Sequence, residues 1–342
     1  MKLVCHIGTP KTASTFLQNT CATNPDWLAQ NGIVYPDLMA PDPNHITLFY
    51  ATALGIHDFA RDYGLTTPEE VRQFRKMLSD SIAQQVGDAP ENITTMVMSS
   101  ENLIANFKNI KEIQNLHDLL APHFEEIRIL VYLRRQDDAI LSMYGEFMRR
   151  GFSAMTFDQF LEASLGPKTY TPYLYYRRVL RQWVEVFGKE ALSVRLFDKS
   201  RLRGGDVLFD FMAELQGAEQ PDLTGLVPSA DDNTGLSAPV LEFLRRMYPY
   251  IPNRKDKVIN PVRAHLAGKI NALPAQPRPK MSDIQSKHIM GHFKEANTWL
   301  RDSFFSDQKG PVFPARTGKA EEGNLGKVNL RDFAKFTGGL LT

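Results

Sequence analysis

The stretch His6-Ile7-Gly8-Thr9-Pro10-Lys11-Thr12-Ala13-Ser14-Thr15 decides how this chain is read. It closes the apolar run Leu3 to Ile7, which reads as a buried first strand. It then passes through a loop, Gly8 to Ala13, into a helix that opens at Ser14 and reaches about Cys21. The N–H groups at a helix start lack intrahelical partners, the helix dipole favours negative charge there, and Lys11 adds a full positive charge. No acidic residue precedes Asp26. The pattern predicts a cradle for a phosphate-like or sulfate-like anion, against the plainer alternative of a strand-to-helix turn with a solvated lysine. Pro10 stands before Lys11 where the Walker A pattern needs glycine, and no strand ends in an aspartate suited to hold Mg²⁺, which disfavours a nucleoside-triphosphate kinase.

Further along, 94–100, 127–133 and 191–197 read as three more short, apolar strands separated by helical periods. Thr67-Pro68-Glu69-Glu70 is a capping box that starts a long helix from Pro68 to about Val86. A helix over about 136–150 has Asp137 and Asp138 in its first turn, Arg149 and Arg150 in its last, and Gly151 at its stop. Strands alternating with helices predict an α/β fold with a central, mainly parallel sheet flanked by helices. The expected organisation is one domain over 1–308, with insertions near 36–68 and 253–280 that are rich in Pro, Asn and His, and a loosely held, glycine-containing tail over 309–342.

The composition narrows the function classes. The 342 residues carry 40 Lys plus Arg against 39 Asp plus Glu, a net charge of +1, so a nucleic-acid-coating protein is not expected and any anion must be gripped locally. Two cysteines, Cys5 and Cys21, make neither a disulfide framework nor a zinc pattern, which predicts a reducing compartment. The amino-terminal apolar run falls short of the roughly 7–15 residues of a signal core. No run reaches the roughly 18 apolar residues of a membrane span. The expectation is a cytoplasmic protein without a membrane span; the oligomeric state is not set by the sequence.

A second motif is Arg134, at the end of the 127–133 strand, with Ser142 eight residues on in the next helix. Ligands in open α/β sheets bind at carboxyl ends of strands. On a helical wheel Ile140, Leu141, Tyr144, Phe147 and Met148 form an apolar stripe, while Asp138, Ser142, Gly145 and Arg149 share the other side. By periodicity alone Ser142 is a solvent-facing serine on an ordinary amphipathic helix.

Taken together, the two motifs resemble those of sulfotransferases that use 3′-phosphoadenosine 5′-phosphosulfate (PAPS), of the bacterial and carbohydrate type. That family's P-K-[ST]-G-[ST]-T loop around the 5′-phosphosulfate is matched by Pro10, Lys11, Thr12, Ala13, Ser14 and Thr15; its 3′-phosphate pair is matched by Arg134 and Ser142. Trp183 with Phe187-Gly188, the 194–198 segment, 233–237 and 293–297 extend the likeness. The resemblance implies a P-loop-like sulfotransferase fold, PAPS as co-substrate and no required metal. It also implies transfer of the sulfuryl group to a hydroxyl or amine of a glycan, lipid or small-molecule acceptor, with Lys11 stabilising the leaving phosphate. Two departures stand out: Ala13 replaces the usual glycine, and Arg135-Gln136 follows Arg134, which makes Arg135 a rival for the 3′-phosphate.

The general base is expected at Glu101, after Ser99-Ser100, where the resemblance puts a catalytic histidine or acid. His6, His45 and His57 are rivals, and capping of the helix after 102 is the structural alternative for Glu101. His288 and His292 have helical ligand spacing without the intervening glutamate of a zinc protease motif, and read as a solvated or packed pair. Phe49, Tyr50, Phe59 and Tyr63, with Tyr170, Tyr173, Tyr175, Tyr176, Arg177, Arg178 and Arg181, are candidates for an acceptor cleft or for plain core. The alternative functions are an ATP-dependent kinase or phosphotransferase built on Lys11, and a non-catalytic nucleotide-binding member of the same fold.

Overall fold

The structure is a computed structural model that describes residues 1–40, 42–230, 235–255, 258–270, 277–316 and 322–327. In chain order the first elements are β1 (Lys2–His6), α1 (Ser14–Thr23), α2 (Pro25–Gln30), β2 (Ile33–Val34), α3 (Thr47–Thr52), α4 (Asp58–Asp62), α5 (Pro68–Gly87) and β3 (Thr95–Ser99). Then come α6 (Asn102–Asn106), α7 (Ile110–Leu120), β4 (Glu126–Leu133), α8 (Gln136–Arg150), α9 (Phe157–Leu165), α10 (Tyr176–Phe187), β5 (Leu192–Leu196) and α11 (Val207–Gln216). The last are α12 (Ala238–Met247), β6 (Arg254–Lys255), β7 (Val258–Ile259), α13 (Pro261–Ile270), α14 (Asp283–His292) and α15 (Lys294–Phe304). The chain divides into two compact units, residues 1–134 with 175–230, and residues 135–174 with 231–342.

The first unit holds a five-stranded sheet in the order β2-β3-β1-β4-β5, with every pairing parallel. The α/β class read from the sequence is thus borne out. Parallel strands are covered on both faces, so they read as unbroken apolar runs; all five residues of β3 and the last five of β4 are buried. On one face Val4, Val97, Leu130 and Tyr132 pack against Leu17 and Cys21 of α1, Trp27 and Leu28 of α2, and Leu208, Phe211, Met212 and Leu215 of α11. α5 starts at the predicted capping box: the Thr67 hydroxyl accepts from the Glu70 N–H and the Glu70 carboxylate accepts from the Thr67 N–H.

The segment 36–68, read as an insertion without a period, carries the two short helices α3 and α4. Its aromatics are mostly core. Phe49 and Tyr50 are buried, Tyr50 meets Tyr63 at 5.4 Å, Tyr63 meets Phe74 of α5 at 5.6 Å, and Phe49 meets Phe107 at 5.9 Å. Phe107 stacks on Trp183 of α10, so the tryptophan of the predicted 183–188 motif is a packing residue.

In the second unit α8 runs over the predicted 136–150 and ends at Gly151, whose φ of 70° is the left-handed stop that favours glycine. Ile140, Tyr144 and Met148 are its buried stripe, and Ser142 is half-buried on another face. Among the described residues β6 also pairs antiparallel with β7. Within the tail, Val312 is buried, Arg316 pairs with Asp138, and Asn324 bonds the main chain of Lys280 and Arg278.

Candidate active site

The site of the first unit grows out of the ladders on either side of β1. Past the last paired residue, Ile7 N–H donates to the Leu130 carbonyl at 2.9 Å, Tyr132 N–H donates to the Gly8 carbonyl at 2.7 Å, and Thr9 N–H donates back to the Tyr132 carbonyl at 3.0 Å. On the other side Ser100 N–H donates to the His6 carbonyl at 2.9 Å. The carboxyl ends of β1, β3 and β4 therefore finish at one level, where open α/β sheets bind ligands.

Above that level the loop bends through left-handed backbone at three places: Gly8 (φ 97°), Lys11 (φ 68°) and Ala13 (φ 65°). Side-chain residues in this region cost about 1–2 kcal/mol each relative to the right-handed conformation, so the loop is held open by specific bonds. Thr9 Oγ1 donates to the Tyr132 carbonyl at 3.0 Å, Thr12 Oγ1 donates to the Thr9 carbonyl at 2.6 Å, and Arg134 Nη1 donates to the Lys11 carbonyl at 2.9 Å. Ala13 takes a left-handed backbone shape that more often falls to glycine.

α1 then starts with no side chain capping it. Ser14 Oγ and Ser100 Oγ, both buried, have no hydrogen-bond partner. Such orphaned hydroxyls are uncommon in native interiors and call for a ligand or an ordered water. Pro10, Lys11 and Ala13 are half-buried, Thr12 and Ser14 are buried, and Thr15 is exposed. Thr12 acts as a brace, because its hydroxyl is spent inside the loop.

Arg134 is half-buried, with its guanidinium 5.8 Å from the centre of the Phe197 ring, and its carbonyl accepts from the Tyr176 hydroxyl at 2.5 Å. Its rival Arg135 is committed elsewhere: in the second unit Arg135 Nε donates to both oxygens of the buried Asp137 at 2.9 and 3.1 Å, and Ser286 donates to the same carboxylate at 2.6 Å. Ser142 lies on α8, in the second unit. Of the 233–237 segment, residues 233 and 234 lie outside the described residues. Asn297, from the 293–297 segment, exchanges amide hydrogen bonds with Gln136 at 2.6 and 3.2 Å.

Glu101 packs directly on the loop, since a Cβ built on Gly8 would lie 2.7 Å from the Glu101 Cβ. The side chain makes no capping bond to α6, so the capping alternative does not hold. Its carboxylate instead accepts from Gln18 Nε2 at 3.0 Å and from Asn44 Nδ2 at 3.0 Å to each oxygen.

The rival histidines are used structurally. His45 Nδ1 accepts from Ser99 N–H at 3.0 Å, its Nε2 meets the Pro36 carbonyl at 2.8 Å, and burial pushes it down to about 4. His57 caps α4 by accepting from Phe59 N–H at 3.3 Å. His6 meets the Ser99 hydroxyl at 2.8 Å and lies edge-on to Tyr132 and Phe211. Burial pushes it down to about 3, and its Nε2 has no partner, so it is less satisfied than an ordinary core histidine.

Sequence reading missed Gln18, Asn44, Ser100 and the role of Phe197 beneath Arg134. Gln18 follows Ser14 by one helical turn, a spacing that puts both on one face. Asn44 had no local signal. Of the candidate acceptor aromatics, Tyr173 and Tyr176 are buried, and Tyr170 lines a cleft of the second unit with Phe147, Phe152 and Tyr248. Arg177, Arg178 and Arg181 are exposed on α10. Among the described residues no cluster of three or more His, Cys, Asp or Glu is arranged to hold a metal, and no helix is long and apolar enough to cross a membrane.

No family model matches the chain. An uncharacterised protein of Archaeoglobus fulgidus is 26% identical over 166 residues, which cover 48% of this chain and 42% of that protein. The chain thus spans less than half the length of this curated relative. Among solved structures, a sulfotransferase from Alicyclobacillus acidocaldarius matches with a TM-score of 0.41 and 17% identity, covering 68% of this chain and 87% of that one.

Two outcomes follow from this geometry. His6 and His45 are neutral when folded, with values of about 3 and 4 against 6.5 for a free imidazole. The unfolded chain therefore binds more protons below that free value. Stability is complete above about pH 6.5 and falls on acidification by about 1.4 kcal/mol per pH unit for each histidine. Urea unfolding at pH 7.5 and pH 5 measures this, and equal stability at the two would contradict it. Gly8→Ala meets both a left-handed backbone and the Glu101 side chain, each costing about 1–3 kcal/mol; denaturation of the variant should show the loss, and an unchanged midpoint would refute the close approach.

Proposed function

We propose that this protein is a PAPS-dependent sulfotransferase that moves the sulfuryl group to a hydroxyl or amine of a glycan, lipid or small-metabolite acceptor. The observation that carries this is the braced loop 8–13. Its left-handed residues present an uncapped helix start beside two buried, partnerless hydroxyls, Ser14 and Ser100, with Lys11 on the loop and Arg134 bound to it. Unpaired N–H groups, the positive end of a helix and serine hydroxyls are the donor set an anion such as a 5′-phosphosulfate requires. The residues present fit that co-substrate. Arg134 keeps donors beyond the one given to the Lys11 carbonyl, and the resemblance assigns them to the 3′-phosphate.

In the reaction the acceptor oxygen or nitrogen bonds to sulfur while the bridging sulfur–oxygen bond breaks, and its electron pair leaves on the 5′-phosphate of 3′,5′-ADP. Lys11 and the loop N–H groups stabilise the charge that gathers on that oxygen. Glu101, seated on Gly8, takes the proton of the acceptor.

The test is nucleotide binding. The wild type should bind 3′,5′-ADP in a calorimeter, and Lys11→Ala and Arg134→Ala should each weaken it at least about tenfold, the equivalent of about 1.4 kcal/mol for a lost charge-assisted contact. Thermal stabilisation by ATP with Mg²⁺ and none by 3′,5′-ADP would point instead to phosphoryl transfer. Unchanged affinity in both variants would overturn the assignment.

A further inference from the structure

We infer that Gln18 and Asn44 are positioning residues that fix the Glu101 carboxylate and leave one acceptor position, on Oε1, for the proton of the incoming nucleophile. The inference rests on the sulfuryl-transfer reading and goes beyond it in naming the atom that receives the proton and the groups that aim it.

An ionised carboxylate offers about four lone-pair positions, two on each oxygen. Asn44 Nδ2 lies 3.0 Å from both oxygens and so occupies one position on each. Gln18 Nε2, 3.0 Å from Oε2, occupies the second position there. What remains is a single position on Oε1. A carboxylate without these donors would rotate between equivalent orientations, and a base that must meet a hydroxyl within hydrogen-bond reach loses rate when it does so.

Both amides are themselves fixed by one residue, Ser99, which pairs in register with His6 in the centre of the sheet. Gln18 is buried on α1, the helix that the anion loop opens. Its Nε2 also lies 3.1 Å from Ser99 Oγ and 3.4 Å from the Ser99 carbonyl, and that hydroxyl is fixed in turn by His6 Nδ1. Asn44 is delivered by its neighbour. His45 N–H donates to the Ser99 carbonyl at 2.9 Å, His45 Nδ1 accepts from Ser99 N–H, and the ring stacks on Tyr35 at 4.4 Å. The segment 36–68, which looked like an appendage to the fold, supplies one half of the clamp. The helix that starts at the anion loop supplies the other, so the base and the anion cradle are set by the same element.

The variants are Asn44→Ala and, as a volume-conserving alternative in the buried position, Gln18→Met. Three quantities are read: 3′,5′-ADP affinity by calorimetry, release of 3′,5′-ADP from PAPS with water as the acceptor, and melting temperature alone and combined with Glu101→Ala. The expected result is about 10–100-fold slower release with nucleotide affinity changed less than about twofold, a difference too small for a lost contact. Melting shifts of Asn44→Ala and Glu101→Ala should be less than additive, as for groups in direct contact. Unchanged release, or a fall in affinity that accounts for the slower release, overturns the positioning role. Additive melting shifts overturn the clamp. Failure of the wild type to bind 3′,5′-ADP overturns the sulfuryl-transfer reading instead, and the melting cycle then decides the clamp by itself.

Discussion

The site depends on the main chain of Tyr132. This residue donates to the Gly8 carbonyl and accepts from both the N–H and the hydroxyl of Thr9, so the β1–β4 ladder is extended past the end of β1 before the chain turns away. Tyr132 is in turn held by its own hydroxyl, which donates to the buried Asp210 of α11 at 2.8 Å. Arg195 of β5 and the N–H of Arg203 satisfy the remaining positions of that carboxylate. Breaking such a buried charged cluster by removing one member typically costs about 3–5 kcal/mol.

The strain of the loop falls on two residues. Lys11 and Ala13 are in left-handed backbone without being glycine, and conformations of this kind persist only where the surroundings over-determine them. Arg134 on the Lys11 carbonyl and Thr12 on the Thr9 carbonyl do so here. Arg134 thus braces the loop in addition to any anion it holds.

Much of this was legible in the sequence because its causes are local. Strands covered on both faces leave apolar runs, which is why β1, β3, β4 and β5 were predicted within one or two residues, and the Thr67–Glu70 cap and the Gly151 stop announced their helices. β2 was not foreseen, because two residues carry no period. Nor was the clamp on Glu101: Asn44 and Gln18 reach it across 57 and 83 positions of sequence, and no spacing rule spans such distances. The aromatics of 36–68 were ambiguous. Phe49, Tyr50 and Tyr63 fitted a cleft or plain core and are mostly packing, since a ring reads the same in sequence whether it faces a ligand or a neighbour.

On the proposed reading, the braced loop and the start of α1 receive the 5′-phosphate end of the nucleotide. Amide chemical shifts of the ¹⁵N-labelled protein, followed while 3′,5′-ADP is added, test it residue by residue. The largest changes should fall on the N–H groups of Lys11 to Thr15, with Glu101 and Arg134 next. Binding that leaves those amides unmoved, or that shifts a different strand end instead, would contradict it.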